Sequence, residues 1–237
     1  MSLIDRRSAP LPGSVRSACR VKDILRHAVP LDHPDAAIAR RYLDSLGLLP
    51  LSPLLLYGRV LFRPHLDYVA RLGAGSYPAL IGRFSTYVDE SRSVECTFLR
   101  EDGSAIADLK PPHSPRLYFG LAGGYFLPLS HGQTGRPLSE ARRPEHIIIT
   151  QRLETGLKII RDMPEARVWV GISLRNIGGL PLEMPQIGRL TFVFDELPLA
   201  DHTGSLRALI ARKGKPVQMT SGETFLRGVT AKSFEAA

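Results

Sequence analysis

Residues 146–173 read HIIITQRLETGLKIIRDMPEARVWVGIS. His146–Thr150 is a short, continuous apolar run, the pattern of a strand covered on both faces. Leu153, Leu157 and Ile160 then recur at i, i+4 and i+7, which predicts a helix over Arg152–Met163. Arg167–Ser173 reads as a second strand. Strand, helix and strand at this spacing make a βαβ unit, so a mainly parallel α/β sheet is expected here. Downstream, Leu190–Glu196 reads as a third strand, Ser205–Lys213 as a helix and Pro216–Thr220 as a last strand.

Upstream the pattern changes. Residues 130–145 are polar and rich in Gly, Pro and Arg, and are expected to connect two lobes. Before them come candidate strands at Val60–Arg63, Ala79–Thr86, Val94–Leu99, Arg116–Gly120 and Tyr125–Leu129, punctuated by Gly-rich turns. Glu101–Ser104 has the composition of a hairpin turn. A helix is expected over Pro34–Leu46, with Asp32 as N-cap, Pro34 in the first turn and Gly47 as the stop. Its stripe of Ile38, Tyr42, Leu43 and Leu46 faces the core, while Arg40 and Arg41 lie off it, either on phosphates or on a solvated face. Residues 1–30 are basic and weakly patterned, with a short helix at Val21–His27. The expected organisation is a flexible basic arm at 1–30, a helix plus β-rich lobe at 31–140, and an α/β domain at 145–237.

Formal net charge is +8 over 237 residues, a balance that suits either a polyanionic partner or merely a basic, soluble surface. Cys19 and Cys96 stand too far apart to build a zinc site, which needs four closely spaced ligands, while a disulfide between them stays open. The seven histidines neither pair at i, i+4 nor stand near a cysteine, so zinc is not expected. No run reaches the ~18 apolar residues of a membrane span, and MSLIDRRSAP does not read as a signal peptide, so no membrane partner and a cytoplasmic location are expected. Asp201, His202 and Ser205 are too close in sequence for a triad, and no Gly-x-Ser-x-Gly elbow accompanies them. Gly120–Gly124 lacks the Lys-Ser/Thr of a phosphate loop and reads as a hairpin turn. Tyr118, Phe119, Tyr125 and Phe126 suit base stacking, but on strands they suit a core better.

Several phrases, in order, resemble the Toprim-containing, primase-like proteins of phages, plasmids and mobile elements. Tyr42-Leu43-Asp44-Ser45-Leu46-Gly47-Leu48 resembles that family's YL-x-x-RG-[IL] phrase. Leu61-Phe62-Arg63-Pro64-His65 resembles LRFHP, and Tyr77-Pro78-Ala79-Leu80-Ile81 resembles PALVA. Thr97-Phe98-Leu99, Asp102-Gly103 and Pro115-Arg116-Leu117 follow the TYL, DG and KRML phrases. In the Toprim part, Thr150–Leu157 resembles AEGIETALS, Trp169–Ile177 resembles WAALSLGNL, and Val193–Pro198 resembles LADNDP. The resemblance covers about residues 25–220. It implies an α+β chain, with a small β-rich N-terminal lobe followed by a Toprim-like α/β domain.

The departures bear on function. The resemblance implies a Glu for acid–base chemistry after the first strand and an Asp-x-Asp pair that holds magnesium. Here the Glu position is Gln151, which exchanges no proton near pH 7, and the next, a Gly in the family, is Arg152. The first Asp is kept as Asp195; the second is Leu197, which has no ligand atom. Phosphoryl transfer needs divalent cations on the non-bridging oxygens, and Mg²⁺ wants carboxylates with waters. The expectation is therefore no cofactor, with Asp195 the ligand should Mg²⁺ bind. Glu154 and Glu196 are the residues nearest to a compensating set, and Glu154 also suits a helix N-terminus. The N-terminal zinc module of related primases is expected to be missing.

The reading that results is a non-catalytic, DNA-associated protein of a replication or mobile-element system, bound to single-stranded or duplex DNA or to a replication or mobile-element protein. Its nucleic-acid contacts are expected at Arg152, Arg40, Arg41 and Arg175. The alternatives are an active Mg²⁺-dependent primase or nuclease with a rearranged site, and a protein-interaction scaffold.

Overall fold

The computed structural model describes residues 20–50, 58–68, 75–86, 92–109, 113–121, 123–171, 177, 179–195 and 216–235. Two five-stranded sheets organise them. The first is an antiparallel meander in the order β1-β2-β3-β4-β5, built from β1 (Val29–Pro30), β2 (Val60–Asp67), β3 (Ser76–Phe84), β4 (Ser93–Phe98) and β5 (Arg116–Gly120). The second contains β6 (Leu127–Pro128), β7 (Glu145–Thr150), β8 (Arg167–Val170), β9 (Ile187–Phe194) and β10 (Val217–Ser221), in the order β10-β9-β7-β8-β6. Its β10·β9, β9·β7 and β7·β8 pairs run parallel, and β6 adds an antiparallel edge, so the sheet is mixed. Pro128 is tolerated there because an edge strand needs no donor on its open side.

Among the described residues, α1 (Ala37–Ser45), α2 (Leu153–Asp162) and α3 (Gly222–Glu235) pack around the sheets, together with a helical stretch at residues 20–26. The turn before α1 shifts its expected cap. Pro34–Ala36 forms a 3-10 turn, so His33 rather than Asp32 is the capping residue, its Nδ1 accepting from the Asp35 amide at 3.2 Å. Gly47, at φ +67°, ends the helix as expected, and the Leu48 amide returns to the Leu43 carbonyl at 2.9 Å.

The cores explain why these runs are apolar throughout. Tyr42 and Leu43 of α1, with Phe62, Leu80 and Phe84 of the first sheet, meet Leu153, Leu157, Ile160, Val168 and Val193 in one cluster between the sheets. The far face of the second sheet carries Ile147, Ile149, Trp169, Phe192 and Phe194. Residues 20–26 form a helical stretch whose Val21 and Ile24 cover the far face of the first sheet, against Leu66, Ile81, Val94 and Phe98. Each large apolar side chain fully buried in this way contributes about 1.5–3 kcal/mol. Cys96 lies in that last cluster as a free, buried thiol.

Three expectations change. Of the flexible arm proposed for residues 1–30, the part from 20 onward is packed into the first lobe by Val21, Ile24 and β1. The passage between sheets falls between β5 and β6, not at 130–145, so the Gly120–Gly124 stretch joins two sheets rather than the strands of one hairpin. The C-terminal helix α3 was not anticipated. The expected helix Ser205–Lys213 lies outside the described residues. Among the described residues, no helix is long and apolar enough to cross a membrane.

Candidate functional site

In the second sheet the chain leaves β7 with β8 on one side and β9 on the other. Between them lies a topological switch point, where the carboxyl ends of parallel strands leave a crevice for ligands. Gln151 and Arg152 follow β7 there, and Asp195 follows β9. Arg152 is the N-cap residue of α2, in extended backbone (φ −117°, ψ 150°), and Thr150 Oγ1 donates to its carbonyl at 3.0 Å.

Both oxygens of Asp195 are engaged. Arg152 Nε lies 2.7 Å from Oδ2, and Thr155 Oγ1, in the first turn of α2, donates to Oδ1. The guanidinium thus takes the side of the carboxylate that a cation would take. The Arg152 side chain remains 50% exposed while it makes this pair. A cleft of about 830 Å³ opens beside Asp195, with Lys158, Arg161, Asp162 and Arg227 on its walls.

The described residues do not fit a magnesium centre. Asp195 is already paired, and no group of three or more His, Cys, Asp or Glu that could hold a metal occurs among the described residues. Leu197, Glu196 and Arg175 lie outside the described residues. Arg40 is drawn into the fold, donating to the carbonyls of Leu31 and His33 at 2.7 Å each. Arg41 Nε donates to the Asp102 carbonyl at 2.8 Å, tying α1 to the 101–104 turn.

A buried polar layer behind this point joins the lobes. On β4, Ser93, Glu95 and Thr97 alternate with Val94, Cys96 and Phe98, so the polar set faces the second sheet's side. Across the ladder, Thr97 pairs with Arg116 and Glu95 with Tyr118. Arg116 Nη1 donates to Thr97 Oγ1 at 2.9 Å, and Nη2 crosses to Glu154 Oε1 of α2 at 2.8 Å. Tyr42 of α1 donates its hydroxyl to the same oxygen at 2.8 Å. Glu154 sits in the first turn of α2, as anticipated, and it is also buried and shared between the lobes.

The electrostatics follow from burial. Burial opposes ionisation of Glu154, but Arg116 and the hydrogen bonds from Arg116 and Tyr42 outweigh it and hold the carboxyl below its usual range. Glu95 has no such compensation. It is 8% exposed, its Oε2 has no hydrogen-bond partner, and burial pushes its carboxyl up to about 7 against the pull of Arg116. Burial likewise raises the Tyr118 hydroxyl to about 12. The aromatics near the switch of sheets are core residues: Phe126 stacks on Trp169 with centroids 4.0 Å apart, and Tyr118 meets Phe84 edge-on at 5.6 Å.

Sequence reasoning missed Glu95, Arg116 and Tyr42 as a set. The one local signal was the alternation Ser93-Val94-Glu95-Cys96-Thr97-Phe98, which marks a strand with a polar face inside the fold.

A family described as "Domain of unknown function (DUF7146)" matches residues 15–127, the stretch that builds the first sheet and ends in β6. No curated protein matches. Among solved structures, the zinc-binding and RNA polymerase domains of the Aquifex aeolicus primase superpose with a TM-score of 0.58 at 7% identity, over 95% of this chain and 61% of that one. The DnaG catalytic core gives a TM-score of 0.54 at 12% identity, over 93% of this chain and 78% of that one. The primase fragment of the bacteriophage T7 primase-helicase protein gives 0.44 at 9% identity, over 83% and 69%. The chain thus spans about 61% of the length of the Aquifex chain it matches. Mixed α and β elements in two sheets, laid out as in two solved primase cores, give this chain a primase-like fold.

Proposed function

We propose that the protein is a non-catalytic, Toprim-like, DNA-associated protein of a replication or mobile-element system, which reads phosphate at the switch point through Arg152 instead of through a metal ion. The observation that carries this reading is the Arg152–Asp195 ion pair at 2.7 Å. It puts a fixed positive charge where phosphoryl transfer requires a divalent one. A guanidinium offers planar donors suited to phosphate, but it presents no water for deprotonation and no open coordination site. Gln151 beside it exchanges no proton near neutral pH. What remains is recognition. The N-terminus of α2 favours an anion, Arg152 stands half exposed over it, and the net charge of +8 draws a polyanion.

The test is fluorescence anisotropy with labelled single-stranded and duplex DNA across a salt series, with and without Mg²⁺. Binding that weakens steeply with salt and ignores Mg²⁺ is the expected result. Binding or strand synthesis that requires Mg²⁺ and is lost in Asp195→Ala overturns it in favour of an enzyme. No binding at low salt overturns it in favour of a scaffold.

A further inference from the structure

Glu95 is buried on β4 and takes no part in the phosphate contacts at the switch point. The alternation of the strand turns it toward the second sheet, on the face it shares with Ser93 and Thr97. Its Oε2 is sealed from solvent and has no hydrogen-bond partner. Charged and titratable groups face it from three other elements. β5 brings Tyr118 directly across the ladder and Arg116 two residues before it on the same face. α2 brings Glu154 and the N-cap Arg152, and the end of β9 brings Asp195. Tyr42 of α1 stands behind them, on the Glu154 oxygen that Arg116 also holds. On β4 itself, Cys96 points to the opposite face, where burial keeps its thiol protonated. Among these groups the two cations are already engaged: Arg116 by Glu154 at 2.8 Å and Arg152 by Asp195 at 2.7 Å. An ionised Glu95 therefore has no cation of its own, and a buried charge without one is strongly disfavoured.

We propose that Glu95 is a proton-controlled switch for the phosphate site, an inference that rests on the recognition role proposed for Arg152. While Glu95 carries a proton, Arg152 and the N-terminus of α2 face an incoming phosphate with only Asp195 to offset them. When the proton leaves, a second negative charge faces Arg152 across a poorly hydrated layer, where charges are screened weakly. Part of the guanidinium's field then goes to Glu95, and phosphate is held less tightly. The same charge draws on Arg116, whose bond to Glu154 anchors α2 two residues beyond Arg152. The coupling is reciprocal: a phosphate on Arg152 favours the protonated carboxyl, so DNA binding takes up a proton. Burial pushes the Glu95 carboxyl up to about 7, which sets the switch in the neutral range. Affinity is highest below that range and is lost as pH rises through it.

The test is fluorescence anisotropy with labelled single-stranded DNA at constant low salt, from about pH 6 to about pH 8, on the wild type and Glu95→Gln. Far-UV circular dichroism confirms that both stay folded throughout. The wild type should lose affinity by roughly threefold to tenfold across that range, as a coupling of about half to one pH unit gives. Glu95→Gln should keep the wild type's affinity at the acid end and lose clearly less at the alkaline end. Histidine titration affects both proteins alike, so the difference between them is what is read. Equal losses overturn the switch and leave DNA recognition standing; no binding by either protein overturns recognition and the switch with it. A carbon-detected NMR titration of the Glu95 carboxyl, without DNA, tests the charge coupling directly. Arg152→Ala removes a pull and should move the titration up, and Asp195→Asn removes a push and should move it down. A midpoint that ignores both substitutions overturns the switch even where DNA binds.

Discussion

Arg152 and Asp195 neutralise one another across the switch point, with Nε 2.7 Å from Oδ2. The two residues come from the ends of adjacent parallel strands, so strand order, not sequence proximity, creates the pair. The arrangement makes Asp195 both a support and a competitor for Arg152: it orients the guanidinium and also offsets its charge.

Asp195→Asn should therefore tighten DNA binding, and Arg152→Ala should weaken it, each by roughly tenfold at low salt. Arg152→Ala should also lower the slope of log affinity against log salt by about 1, as expected for one lost phosphate contact. Parallel salt titrations of the two variants check this. If both variants lose affinity, the pair acts as a structural brace instead.

Glu95 gives the fold a pH dependence of predictable sign. Its carboxyl is raised by burial from an ordinary 4.5 to about 7, with Arg116 and Arg152 pulling down and Glu154 and Asp195 pushing up. Between those values the folded chain holds a proton that the unfolded chain has released, so stability falls as pH rises through that window. Tyr118, its cross-strand partner, stays neutral because its own hydroxyl is raised to about 12. Glu95→Gln should remove the dependence, gaining on the order of 2–3 kcal/mol over the wild type between about pH 5 and pH 8. Urea midpoints at both pH values decide it, and identical slopes in the two proteins would contradict the assignment.

The latch between the lobes should behave as a buried ion pair. Arg116 and Glu154 carry side-chain exposures of 15% and 11%, so deleting either leaves an uncompensated charge in a poorly hydrated layer. Arg116→Met and Glu154→Gln should each cost about 3 kcal/mol. The double variant should cost clearly less than their sum, a coupling of about 1 kcal/mol or more. Tyr42→Phe, which leaves the ion pair intact, should cost about 1 kcal/mol. A double-mutant cycle by urea unfolding gives all of these, and additive losses would mean that the two residues act independently.

The sequence made legible what local patterns encode. The run Ile147-Ile148-Ile149, the Leu153, Leu157, Ile160 stripe and Gly47 each announce their element because the cause lies within a few residues. The polar layer was hidden because its partners are far apart in the chain: 112 residues separate Tyr42 from Glu154, and 38 separate Arg116 from it. Arg152 was legible as an anomaly beside Gln151, but its pairing with Asp195 depends on β9 lying next to β7. Arg40 and Arg41 lie off the apolar stripe, where the sequence allows either phosphate contact or a solvated face; their hydrogen bonds to carbonyls of neighbouring turns depend on the tertiary fold and carried no local signal. Helix α3 escaped notice because Gly222 and Gly228 weaken its propensity signal.

The end of β5 provides a sharp test of the passage between the sheets. Gly120 has φ +103°, and a Cβ there would lie 2.1 Å from the Arg92 carbonyl oxygen. Neither the backbone angle nor the space admits a side chain, so Gly120→Ala must displace the strand end that leads to β6. Gly135 is the matched control: it also has positive φ, at +63°, but nothing lies within 4 Å of its Cβ position. Gly135→Ala should cost about 1 kcal/mol, the backbone strain alone. Gly120→Ala should cost about 3 kcal/mol, because steric displacement adds to the strain. It should also loosen the Ser85–Phe126 bridge that follows, visible as faster amide exchange at Phe126, whose N–H donates to the Ser85 carbonyl at 3.0 Å. Equal losses in the two variants, with Phe126 exchange unchanged, would show that the strand end relaxes freely and does not hold the two sheets in register.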